Sequence, residues 1–179
     1  MVFRLFRRSV EEPFALYGAI VAQARHPALY AGIGVPDTLD GRFDMIVLHA
    51  VLVFRRLRGE PPAVAERSQA LFDLFMADMD RSLRELGVGD LSVPKRIKKM
   101  AEAFYGRLDV YVGALDAGDA ARLTDALARN VFPDGAPPTV GRLAAYVVAA
   151  AAALAETATA DVIEGRIAFP EPLAAESAA

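Results

Sequence analysis

The stretch Leu39-Asp-Gly-Arg-Phe-Asp-Met-Ile-Val-Leu-His-Ala-Val-Leu-Val-Phe-Arg-Arg-Leu-Arg58 decides the fold. Wound as a helix, it is apolar on most sides, through Phe43, Ile46, Val47, Leu48, Val51, Leu52, Val53, Phe54 and Leu57. Such a helix must be covered by other elements, so it belongs at the centre of the molecule. Asp37, Thr38 and Asp40 offer N-cap oxygens at its start. Arg55, Arg56, Arg58 and Gly59 suit its C-terminal end, where the dipole favours cations and glycine takes the left-handed turn.

The surrounding sequence supplies the cover. A first helix is expected over about Glu12 to Arg25, ended by His26-Pro27, because the residue before proline avoids the α region. Pro61-Pro62 precedes a third helix, Ala63 to Leu86, striped by Leu71, Phe72, Phe75, Met79, Leu83 and Leu86. Its wet side offers the i,i+4 pairs Asp80–Arg84 and Arg81–Glu85. A fourth helix spans Pro94 to Asp116, with Ile97, Ala101, Phe104, Leu108, Val112 and Leu115 inward. A short one follows Gly118-Asp119 to Asn130, and a last runs from Val140 to Ile163. The expected fold is therefore all-α, a single-domain bundle of about six helices around the buried helix 39–58. Residues 1–11 read as a basic and apolar arm, 12–165 as the helical domain and 166–179 as a disordered Pro/Ala/Glu tail.

Composition removes several functional classes. The 179 residues contain no cysteine, which excludes disulfides, thiolate metal sites and a cysteine nucleophile. The longest apolar run, Leu143 to Leu154, is far short of the roughly 20 residues of a membrane-spanning helix. Phe3, Leu5 and Phe6 alternate with Arg4, Arg7 and Arg8, a pattern that fits a frayed terminus better than contact with anionic lipid. The net charge of −3 divides into +3 over residues 1–107 and −6 over 108–179.

Active-site patterns are missing. His26 and His49 are the only histidines, and no Glu-x-x-His pair occurs. His49, among apolar residues in mid-helix, reads as a satisfied core histidine. Asp37, Asp40 and Asp44 lack the spacing of a calcium loop and read as caps and ion pairs around Arg42. No metal or cofactor is expected. No G-x-S-x-G, P-loop or dinucleotide turn occurs, and Gly87-Val-Gly89 follows a helix rather than a strand.

One oddity remains. The chain has 20 basic residues, yet its three lysines are Lys95, Lys98 and Lys99, all near the start of the fourth helix. Cations there oppose the helix dipole at about 0.3–1 kcal/mol each. Local stability does not explain them. With Arg96, and with Tyr105 and Arg107 further along, they are candidates for binding an anionic partner. An ordinary solvated face, partly paired through Lys98–Glu102, is the competing explanation.

Gly34-Val-Pro-Asp-Thr-Leu-Asp-Gly-Arg-Phe-Asp-Met45, Leu71-Phe-Asp73, Asp78-Met-Asp80, Leu86-Gly-Val-Gly-Asp-Leu-Ser-Val-Pro-Lys-Arg-Ile-Lys98 and Ala103-Phe-Tyr-Gly-Arg107 together resemble the ubiquinol–cytochrome c chaperone family. The resemblance extends over about Tyr17 to Tyr146. It implies a helical, non-catalytic assembly factor for respiratory complex III that binds newly made cytochrome b and supports its haem loading. Mitochondrial members of that family also associate with the ribosome near the tunnel exit. No mitochondrial presequence precedes the domain, so a bacterial member is implied, cytoplasmic and peripheral at the inner face of the inner membrane.

The expected partners are thus cytochrome b as client, with the ribosome or an anionic membrane surface as further anionic contacts, and no DNA. In this scheme the basic face docks an anion, and an apolar groove lined from the central helix and Tyr105 holds a client helix. The alternative is a lipid- or quinone-binding or modifying protein, with its cavity at Asp37, Asp40, Asp44 and His49. Plain RNA binding is weaker, because the chain is acidic and lacks interleaved aromatic and basic residues.

Overall fold

A computed structural model describes residues 2–172, with the side chains of residues 2–12 excepted. The central helix is as expected and is labelled α3 (Leu39–Leu57), in the chain order α1 (Val2–Ala24), α2 (Pro27–Ala31), α3, α4 (Pro62–Glu85), α5 (Val93–Asp116), α6 (Ala120–Val131), α7 (Val140–Glu156) and α8 (Thr159–Ile163). Met45, Val47, Leu48, Val51 and Val53 of α3 are essentially sealed from solvent. Helices α1, α4, α5, α6 and α7 all pack on it. The described residues contain no strand, and the architecture is all-α in a single domain.

The start of α3 depends on a close approach. Thr38 Oγ1 accepts the Gly41 amide at 3.1 Å, so Thr38 is the cap, and Asp37 instead pairs with Arg42. A Cβ on Gly41 would lie 2.0 Å from the Pro36 carbonyl oxygen, so the chain can fold back over this turn only with glycine there. His26, before Pro27, caps the five-residue α2 through Nδ1.

Three details depart from the sequence expectation. The last helix is divided, with Thr157 in extended conformation between α7 and α8. The cause is Arg56 at the end of α3, whose guanidinium donates to the carbonyls of Leu154 (3.0 Å) and Thr157 (2.8 Å), to Thr159 Oγ1 and to Glu60. These acceptors end α7 where they leave its axis. The Arg81–Glu85 pair does not form; Arg81 turns to Asp78, which also accepts the Tyr17 hydroxyl at 2.8 Å.

The third departure concerns residues 166–172. They lie along the core, with Ile167 and Phe169 packed on it and Pro172 buried. The Phe169 ring meets His49 edge-on at 5.1 Å, and the Pro170 carbonyl accepts from Gln23. Gly165 turns this segment back at φ +75, so close to Ala15 and Leu16 that a Cβ would collide with their backbone. The remainder of the predicted tail, 173–179, and the side chains of the arm lie outside the described residues. The arm's backbone from Val2 continues as α1.

Candidate functional site

The N-terminal half of α3, the C-terminal half of α4 and the N-terminal half of α5 share one end of the bundle. Between them opens a cleft of about 710 Å³. Its apolar wall includes Leu39, Phe43, Met79, Leu83, Leu86 and Met100. Arg25, Arg96 and Lys99 supply positive charge, and Asp40, Asp44 and Asp78 negative charge. Most of the sequence motifs quoted above contribute a residue to this cleft, although they are spread over some seventy positions.

The deepest charged pair joins two of those motifs. Arg107 Nη2 lies 2.6 Å from Asp44 Oδ1, with side chains only 15% and 8% exposed. Arg107 also lies 5.9 Å from the Phe43 ring centroid and donates weakly to the Asn130 carbonyl. Burial pushes the Asp44 carboxyl up to about 6, against the opposing pull of the Arg107 charge. Tyr111, buried one turn further along α5, is pushed up to about 12 by the same desolvation. The pairing of Asp44 with Arg107 corrects the expectation that it clusters with Arg42. Arg42 binds Asp37 at 2.7 Å on the surface, and that hydrogen bond holds the Asp37 carboxyl below its usual range.

The predicted partner-binding residues other than Arg107 separate into three environments. Arg96 and Lys99 line the cleft. Lys95 and Lys98 are exposed beside it, and the Lys98–Glu102 contact is a loose 3.9 Å. Tyr105 lies on the other side of α5, in a second hollow of about 700 Å³ with Phe54, Leu57, Phe72 and Leu108. So a groove lined from the central helix and Tyr105 does exist, but the basic residues are not part of it. Helical geometry contained this signal, since Tyr105 and Arg107 are two positions and about 200° apart. Phe43, Leu83 and Met100 were missed as site residues because an apolar side chain carries no site signature by itself.

His49 is remote from the cleft chemistry. It is fully buried, and its Nδ1–H donates to the Met45 carbonyl at 2.7 Å. Its Nε2 accepts from the Tyr146 hydroxyl at 2.6 Å, and that hydroxyl accepts from Gln23. Burial lowers the imidazole to about 4, so it is neutral. Asp44 and His49, five residues apart on α3, face different surroundings and form no joint site. Among the described residues no three histidine or acidic side chains converge as a metal would require. No helix there is long and apolar enough to cross a membrane.

The family model described as ubiquinol-cytochrome C chaperone matches residues 31–169. The chain belongs to the ubiquinol–cytochrome c chaperone family. That match contains α3 to α8 and every residue of the cleft except Arg25. A solved member-like structure, the Cbp3 homolog from Brucella abortus, superposes with a TM-score of 0.85 at 42% identity. The superposition covers 96% of this chain and 98% of that one. No curated protein matches the chain.

Proposed function

We propose that this chaperone of ubiquinol–cytochrome c reductase assembly binds a segment of newly made cytochrome b in the cleft between α3, α4 and α5. The observation that carries the proposal is convergence. Motifs as far apart as Asp40–Asp44, Asp78-Met79 and Ala103–Arg107 line one hollow. Its mixture of apolar wall and cationic rim fits a membrane-protein segment with an acidic or carbonyl-rich flank. The Asp44–Arg107 pair holds α3 against α5 and keeps the cleft in shape.

The role is binding rather than catalysis. Within the cleft the charged groups Asp44, Asp78, Arg42 and Arg107 engage other side chains, and the neutral His49 is sealed off behind α3. Its place of action is the cytoplasmic face of a bacterial inner membrane, where the client is made.

The test is Ala103→Arg, which places a long side chain in the cleft from a half-buried position. The variant should fold normally, lose co-purification of newly made cytochrome b and lower the yield of assembled complex III. Unchanged client recovery and unchanged complex III would overturn the cleft as the binding site.

A further inference from the structure

We infer that the loop joining α4 to α5 docks on an anionic bilayer, with Leu91 and Leu86 as an apolar wedge and Lys95, Lys98 and Lys99 as its flanking cations. The described residues expose six large apolar side chains, and three of these are Leu39 (57%), Leu86 (60%) and Leu91 (99%). Leu39 and Leu86 edge the cleft, and Leu91 lies five residues beyond Leu86. Large apolar groups gathered at one end, beside cations, mark an interaction surface more than scattered ones do.

The loop is built to hold Leu91 out. Val93 is fully buried two residues later, the Val88 amide donates to Leu83, and the Ser92 amide donates to Gly89 at 2.8 Å. With both flanks pinned, Leu91 projects from a folded turn. Lys95 follows after one helical turn, and the first turn of α5 carries no acidic residue.

The local charge favours an anion. Arg84 pairs with both Asp80 and Asp90, which leaves one carboxylate in excess. Lys95, Arg96, Lys98 and Lys99 then outnumber that carboxylate, Glu85 and Glu102, which approaches Lys98 at 3.9 Å. A phospholipid surface offers both requirements at once, acidic headgroups for the lysines and hydrocarbon for the leucines. A nucleic acid or an acidic protein loop would use the lysines and leave Leu91 idle. The bilayer surface shares Leu86 and Lys99 with the edge of the cleft, while Leu91, Lys95 and Lys98 lie outside it.

The experiment is co-sedimentation of the purified chain with vesicles of phosphatidylcholine alone or mixed equally with phosphatidylglycerol. The wild type should pellet with the mixed vesicles only, and added salt should release it. Lys95→Glu with Lys98→Glu should weaken binding at least about 25-fold, since each basic residue near such a surface contributes about fivefold. Leu91→Asp, at a fully exposed position, should weaken it about tenfold or more while leaving the fold intact. Ala103→Arg should bind vesicles like the wild type, which separates this surface from the client cleft. No sedimentation with mixed vesicles would overturn the inference. So would loss in the lysine variant with full binding by Leu91→Asp, which would mark a simple polyanion contact.

Discussion

Replacing Asp44 by asparagine should change how stability depends on pH, in a direction set by two buried groups of opposite sign. Burial raises the Asp44 carboxyl from 3.8 to about 6. The folded chain therefore holds that proton more tightly than the unfolded one. The stability this gives is complete below about pH 3.8 and is lost as pH rises through about 6. His49 is lowered from 6.5 to about 4. Its contribution is complete above about pH 6.5 and is lost as pH falls through about 4. At about 1.4 kcal/mol per unit, each full span is about 3 kcal/mol.

Acidifying from about pH 7 to about pH 4.5 should thus gain about 2 kcal/mol through Asp44 and lose slightly more through His49. In the wild type the two nearly cancel. Asp44→Asn leaves only the loss, so the variant should fall about 2 kcal/mol further than the wild type over that interval. Urea unfolding followed by far-UV circular dichroism at both pH values measures this. Asp37, Glu60 and Asp116, all held low by arginine hydrogen bonds, are common to both proteins and drop out of the difference. Parallel pH profiles for the two proteins would refute the reasoning, because Asp44 would then not be the raised carboxyl.

Arg56→Ala removes the donors that engage the Leu154 and Thr157 carbonyls and Glu60 in a largely buried place, and should cost about 2–3 kcal/mol by urea midpoint. Gly41→Ala forces a Cβ against the Pro36 carbonyl and should cost about 2 kcal/mol, read as a lower melting temperature. Tyr146→Phe deprives His49 Nε2 of its donor and should cost about 1–2 kcal/mol, with the fold retained in circular dichroism.

What the sequence made legible was whatever periodicity and capping determine locally. The burial of helix 39–58, a cap among Asp37, Thr38 and Asp40, and the breaks at Pro27, Pro61 and Gly118 all follow from neighbours within a few residues. What escaped was tertiary. The division of α7 from α8 depends on Arg56, about a hundred residues earlier in the chain. Residues 166–172 read by composition as part of a disordered Pro/Ala/Glu tail, yet Ile167 and Phe169 find a place on the core that only the assembled bundle provides. Asp44 was grouped with its sequence neighbours when its partner is Arg107, on another helix. Even the split between Tyr105 and Arg107 was present in helical spacing, and grouping residues by charge and aromaticity hid it.

The uneven use of lysine and arginine now has a physical account. Arginine serves where a planar fork must hold several fixed acceptors. Arg56 joins α3 to the α7–α8 junction, Arg55 and Arg58 hold Asp116 of α5, and Arg107 holds Asp44. Such sites reward a rigid guanidinium and would be poorly served by an ammonium. Among the described residues, the ion pair made by Lys95, Lys98 and Lys99 is the loose 3.9 Å approach of Lys98 to Glu102 on the same helix. A strongly hydrated point charge on a flexible stem suits a surface whose anions are numerous and not fixed in place. The arginines therefore tie the helices of the bundle together, while Lys95 and Lys98 lie exposed outside the cleft and Lys99 at its lining.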